Sequence, residues 1–322
     1  MISKSKAVFI IPYFGKKPDY FELWLKSAEK NRQYNFYIYT DIDLKTSRDS
    51  NVKVITTCFS DLVGRFRKKL GDDIKLATPY KLCDYKPAYG LVFEEDIKDY
   101  LFWGYCDVDL IFGDISNFIT DDMLCSYDKF YFHGHFTLFR NNELMRQLFK
   151  EKFSNVLDYT YAFHTDYVCH FDENGTVAYA SDYRREIQTY FNWDFCDPAY
   201  NSYELIWGDR ARYGIWENGI LNLYGLDGKD GKEILYLHLQ KRKMHYDNTI
   251  MSENTFAIIR DKFISLPELN NELTINSDEI AKKQNHYRII AKKSYIKNVI
   301  KNIMAGSLGF KTHSKKMQLR KR

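Results

Sequence analysis

Apolar residues along this chain fall into runs with two different spacings. Lys6 to Tyr13 (KAVFIIPY) is continuous, as in a strand buried on both faces, and Pro12 and Gly15 stop it. From Asp19 to Arg32 the spacing becomes helical. Phe21, Leu23, Trp24, Leu25 and Ala28 form the apolar face, and Asp19 suits the N-cap. Asn35–Thr40 and Val52–Thr56 read as two further strands, and Leu62–Leu70 as a basic helix. Ala88–Tyr100 reads as a long helix feeding another strand. This alternation predicts an α/β fold with a mixed, mostly parallel sheet flanked by helices. Beyond Asp114 the spacing predicts short aromatic strands over Lys129–Phe132 and His135–Arg140 and a helix over Asn141–Phe153. It also predicts a hairpin loop over Gly225–Lys232 and a strand over Ile234–Leu239. Residues 159–224 are rich in Tyr, Trp, Asp and Gly without a clear period. The expected organisation is one domain over 1–250, a connecting segment over 251–281 and a basic tail over 282–322.

The strand after the long helix is unusual. Leu101 to Asp114 (LFWGYCDVDLIFGD) is apolar except for its glycines and the acids Asp107, Asp109 and Asp114. Buried carboxylates must be paired, hydrogen-bonded or metal-bound. Chance alone supplies about six acid-x-acid triplets in such a chain, and Asp41-Ile42-Asp43 is another. The apolar residues on both sides distinguish Asp107 and Asp109. Either they hold a divalent cation or they cap a turn or helix start near Ser116. In an open α/β sheet ligands gather at the carboxyl ends of strands. Three such ends carry Pro12-Tyr13-Phe14-Gly15, Thr40-Asp41 and Asp107-Val108-Asp109. That suits a nucleotide site: Tyr13 against a base, Asp41 against a ribose or base, and the paired acids on Mg²⁺ or Mn²⁺.

Charge changes the picture at the C-terminus. The chain carries 47 Lys/Arg and 43 Asp/Glu; from Lys282 onward there are 13 basic residues and no acid, leaving −9 over the first 281 residues. Ile289, Ile296, Ile300 and Ile303, interleaved with Lys292, Lys293, Lys297 and Lys301, predict a basic amphipathic helix that an anionic membrane surface attracts. A partly disordered basic tail is the alternative. The acidic body argues against a protein devoted to nucleic acid. No apolar run approaches the roughly 18 residues of a membrane span, and no secretory signal is evident. The six cysteines form no Cys-x-x-Cys pair, which suits reduced thiols and a cytoplasmic protein; the basic tail would place it peripherally at the inner face of the membrane.

Five blocks in order, IPYFG (11–15), PYKLCDYKPAYG (79–90), FWGYCDVDLIFGD (102–114), GHFTLFRN (134–141) and HLQKRKM (238–244), resemble bacterial glycosyltransferases of capsule, exopolysaccharide and lipopolysaccharide synthesis. The resemblance spans about residues 6–245. It implies a GT-A-like, Rossmann-like fold and transfer of a sugar from a nucleotide donor, of UDP-sugar type, to a saccharide or lipid-linked saccharide. It further implies that Asp107, Asp109 and His238 hold the metal and that Lys241 or Lys243 meets the donor phosphates. Asp84 and Lys86 would contact the nucleotide. Gly134-His135 reads either as a turn or as a contact to the donor or acceptor sugar. An inverting transferase needs a carboxylate base; Asp172 and Glu173 rank ahead of Asp166, although Asp172 and Glu173 also suit capping of the Asn174-Gly175 turn. Two other readings stay open: a metal-dependent nucleotidyl- or phosphotransferase, and a non-catalytic saccharide-binding protein. A Walker-type glycine loop is missing, which argues against a P-loop kinase.

Overall fold

The computed structural model describes residues 6–304 except Lys241. Its centre is a seven-stranded sheet of β1 (Ala7–Pro12), β2 (Tyr34–Thr40), β3 (Val52–Thr56), β4 (Phe102–Cys106), β6 (Lys129–His133), β7 (Phe136–Arg140) and β8 (Thr189–Tyr190). The strand order is β3-β2-β1-β4-β7-β6-β8. All neighbours are parallel except β7, which runs against β4 and β6. β1 explains why its sequence lacks alternation. Val8 and Ile10 enter the core on one face; Ala7, Phe9 and Ile11 enter the core on the other. Helix α1 (Phe21–Lys30) supplies Phe21, Trp24, Leu25 and Ala28 to the second core. Helix α2 (Phe59–Leu70) supplies Leu62, Val63 and Phe66 to the first. The protein is therefore a mixed α/β fold, its large, mostly parallel sheet flanked by helices.

β5 (Leu110–Phe112) leaves this sheet immediately after the paired acids and pairs antiparallel with β13 (Tyr236–His238). A second, antiparallel sheet comprises β9 (Leu205–Trp207), β10 (Arg210–Glu217), β11 (Ile220–Gly225), β12 (Lys232–Glu233), β14 (Thr255–Ile259) and β15 (Lys262–Ile264). Its core of Trp216, Leu221, Leu223, Phe256 and Phe263 also takes in Leu23 of α1 and Ile111 and Leu237 of the ribbon. The Trp216 indole donates to the Phe112 carbonyl at 2.9 Å. The second sheet thus backs the β5–β13 ribbon.

Four expectations need correction. Residues 88–100 form no single helix: a 3-10 turn (Lys86–Ala88) precedes short helices Tyr89–Val92 and Glu94–Ile97, with buried Phe93 between them at φ −108°, ψ 24°. Gly90 faces the Trp103 ring so closely that a Cβ would fall 2.4 Å from it. The helix expected over 141–153 covers only Glu143–Gln147, with a 3-10 turn to Lys150. Residues 251–281 are no connector, since β14 and β15 belong to the second sheet and Leu266–Leu273 is a helix. The C-terminal helix begins at Ser277, earlier than Ile289, and runs to Met304. Ile289 and Ile296 are exposed on it, but so are Ile290 and Tyr295, which lie off that stripe. Among the described residues no helix is long and apolar enough to cross a membrane.

Candidate functional site

Parallel pairing of β1, β2 and β4 brings Pro12, Asp41 and Asp107 to one edge of the sheet. Antiparallel β7 begins there, so the Asp107 amide donates to the His135 carbonyl at 3.0 Å. The Trp24 indole donates to the Asp107 carbonyl at 3.1 Å and braces the turn from behind. The ribbon adds the last member. Leu110 pairs with His238, and the Leu239 amide donates to the Asp109 carbonyl at 2.8 Å. One ligand atom each from Asp107, Asp109 and His238 lies within 4.8 Å of the others. The paired acids are therefore not helix caps; Asp114 performs that job for the Ser116 amide.

His238 sits between two carboxylates, with Nδ1 2.8 Å from Asp197 Oδ1 and Nε2 3.4 Å from Asp109 Oδ1. Burial pulls its pKa down, but the hydrogen bonds and charges of Asp109 and Asp197 outweigh it and raise the imidazole to about 10. Asp197 is held below the usual carboxylate range: burial opposes ionisation, and His238 and Gln240 overcome it. His135, buried beside them, donates to or accepts from Tyr236 at 3.1 Å through Nδ1. Its Nε2 has no hydrogen-bond partner and lies 3.8 Å from Asp197 Oδ2. Burial, with His238, His133 and Lys86 nearby, keeps His135 neutral, well below its ordinary range. His135, Asp197 and His238 make a second set of donors within 4.8 Å.

Lys86 closes the other side. Its Nζ donates to Asp107 Oδ1 at 2.7 Å and to the Gly134 carbonyl at 2.7 Å, and lies 3.4 Å from Asp172 Oδ2. Burial opposes its charge, but Asp107 and Asp172 hold the ammonium well above its ordinary range. Asp172 is raised to about 8: burial outweighs Lys86, aided by Glu173, Asp107 and Asp84. Asp172 Oδ1 is buried without a hydrogen-bond partner. Gly134 is required here, because a Cβ would stand 2.3 Å from Asp172 Oδ2.

The remaining expected residues divide. Tyr13 is half-buried beside the acids; burial and the charges of Asp109 and Asp107 push its phenol up, and its hydroxyl donates to the Lys16 carbonyl at 2.8 Å. Asp41 is exposed on the same edge. Glu173 is exposed next to Asp172, and Asp166 is exposed away from these contacts. Asp84 contradicts its expected role. It is fully buried, salt-bridged to Lys81 at 2.6 Å, and accepts from the Cys169 and Phe171 amides at 2.9 Å each. It fixes the loop carrying Asp172 rather than facing a nucleotide. Lys243 is exposed and lines a neighbouring cleft, and Lys241 lies outside the described residues. Sequence reasoning missed Asp197, Gln240 and the exposed Trp193, 6.0 Å from the His133 ring. The alternation Trp193-Asp194-Phe195-Cys196-Asp197 marks a strand-like segment, and the bridge of Cys196 to Leu237 brings Asp197 to the ribbon.

Fold and site together define a mixed α/β protein with an acid–histidine cluster at the carboxyl edge of its main sheet. The chain belongs to a family of unknown function, DUF6625, whose match spans residues 9–267 and so includes every described residue of the cluster. No curated protein and no solved structure matches it.

Proposed function

We propose that this protein is a metal-dependent glycosyltransferase of GT-A-like fold. It transfers a sugar from a nucleotide donor, of UDP-sugar type, to a saccharide acceptor in capsule, exopolysaccharide or lipopolysaccharide synthesis. The observation that carries the reading is the convergence of Asp107, Asp109 and His238, from elements more than a hundred residues apart in sequence, within 4.8 Å at the strand ends. Two carboxylates and an imidazole fit a hard divalent ion such as Mn²⁺ or Mg²⁺. When bound, that ion supplies neutralisation of the charge on a departing nucleoside diphosphate. Asp197 orients the His238 ring through Nδ1, as outer partners of metal-binding histidines do. Tyr13 and Asp41 suit the base and ribose on the same edge. Trp193 offers an exposed aromatic face to a sugar ring.

Transfer breaks the bond between the anomeric carbon and the diphosphate oxygen and forms one to an acceptor oxygen, which loses a proton. In this reading exposed Glu173 takes that proton, while buried Asp172 holds Lys86 against Asp107. The basic C-terminal tail holds the enzyme at an anionic membrane surface, where a lipid-linked acceptor resides. Product analysis tests the reading against nucleotidyl transfer: incubation with UDP-sugars, Mn²⁺ and a saccharide acceptor should release nucleoside diphosphate and leave the sugar on the acceptor. Release of pyrophosphate with a nucleotidylated product would overturn it.

A further inference from the structure

The start of the C-terminal helix does not stand free of the body. Gln284 Oε1 accepts from the Tyr203 amide at 2.9 Å, and Gln284 Nε2 donates to the Asn201 carbonyl at 2.7 Å. The Tyr287 and Tyr203 rings lie 5.4 Å apart. This docking encloses a cleft of about 550 Å³ between helix and body. Lys282 and Lys283 line the helix side; Arg242, Lys243 and His245 line the body side. Asp261 is the only carboxylate among the described lining residues. Lys243, Lys282 and Lys283 form no ion pair among the described residues. Arg242 is 5% exposed; its Nη1 donates to the Tyr203 and Arg260 carbonyls, and its Nη2 is buried without a partner.

Four Lys/Arg groups lining a pocket with one carboxylate create a positive field that favours a multiply charged anion. Tetrahedral phosphate oxygens match such donors, and the volume lies in the range of small-molecule sites. Gln240 lines the cleft and also donates to Asp197 Oδ1, so the cleft opens one hydrogen bond away from the acid–histidine cluster. Exposed Tyr200 and Ile290 add apolar surface at its edge.

We infer that this cleft is a second anion subsite, which takes a phosphate- or diphosphate-bearing acceptor. The assignment to the acceptor rests on the reading of Asp107, Asp109 and His238 as the donor site, since there the donor diphosphate is already neutralised. The subsite explains why a basic helix is docked beside the cluster. It makes the acceptor a phosphorylated molecule, either a water-soluble phosphate ester or a lipid whose headgroup phosphate enters the cleft.

The test uses the full-length protein and inorganic pyrophosphate in EDTA, where metal-dependent binding at the cluster is silent. Calorimetry should detect binding to the wild type and to Asp107→Asn/Asp109→Asn alike. Lys282→Glu/Lys283→Glu should weaken it by at least about tenfold. Lys243→Glu, on the opposite wall and off the helix, should weaken it similarly, which guards against a helix that merely undocks. No binding by the wild type, or wild-type binding by these charge-reversal variants, overturns the subsite. Mn²⁺-dependent sugar-nucleotide binding is scored separately on the same proteins: its absence from the wild type removes the donor reading, and pyrophosphate still judges the cleft. Displacement of pyrophosphate by phosphatidic acid vesicles but not phosphatidylcholine vesicles supports the subsite with a lipid-borne phosphate as its ligand. Displacement by glucose 1-phosphate alone supports it with a soluble phosphate ester.

Discussion

Single residues at the site differ in what their charge does. His238 carries a proton because two carboxylates hold it, and its pKa of about 10 lies above the ordinary 6.5. A raised pKa means this contribution to stability is complete below about pH 6.5 and is lost as pH rises toward 10. The metal-free protein should therefore lose thermal stability across that window. Asp197→Asn should flatten the profile, and equal slopes in the two proteins would contradict the pairing. A divalent ion must displace the same proton, so apparent Mn²⁺ affinity should rise with pH over this range. Asp84 acts differently. Asp84→Ala leaves the Lys81 ammonium buried without its carboxylate and frees the Cys169 and Phe171 amides. Loss of one partner of a buried pair costs about 3–5 kcal/mol, measurable by denaturant unfolding. From sequence, Asp84 and Asp107 look alike. What separates them is that Asp84 is held by Lys81 and Cys83 within its own turn and by the Cys169 and Phe171 amides 85 or more residues away, and none of these contacts carries a local signal.

Among the elements, β1 and β4 were legible because strands buried on both faces read as continuous apolar runs, and β2 and the edge strand β3 because β-branched and aromatic residues recur along them. The strand over β13 was legible too, but its pairing with β5 was not, since the two are separated by more than a hundred residues and nothing local joins them. Yet this ribbon sets His238 against Asp109. Gly113 sits at its base, where a Cβ would lie 2.4 Å from the Ile234 carbonyl oxygen. Gly113→Ala should force the ribbon apart, costing about 1–3 kcal/mol, and should lower Mn²⁺ affinity with all three ligands still present. Unchanged affinity alongside lost stability would mean that the ribbon does not position His238. The run of residues 88–100 misled for a related reason. Its apolar residues keep helical spacing, but packing of Gly90 on Trp103 and burial of Phe93 break the backbone into short turns.

For the whole molecule, the charge asymmetry seen in the sequence is given a position by the fold. Gln284 and Tyr287 dock the start of the helix, while Lys292, Lys293 and Lys297 extend exposed beyond it. Truncation after Ala291 keeps the docking and removes these lysines. It should sharply reduce co-sedimentation with vesicles rich in phosphatidylglycerol, at about 1 kcal/mol per lost basic residue near the surface. Undiminished sedimentation would remove the membrane role. The antiparallel second sheet stayed hidden in the sequence because β10 and β11 mix Arg, Asn, Tyr, Trp and Gly without a clean period, and β14 joins β10 from beyond the expected domain limit. In the function proposed above, the cluster at the strand ends holds a metal on a sugar-nucleotide diphosphate. The most direct test is calorimetric binding of a panel of sugar nucleotides to the full-length protein, with and without Mn²⁺, beside Asp107→Asn/Asp109→Asn. At least one sugar nucleotide should bind, and that binding should require Mn²⁺ and disappear in the double variant. Binding that persists without the metal or without the two carboxylates would contradict the proposed function.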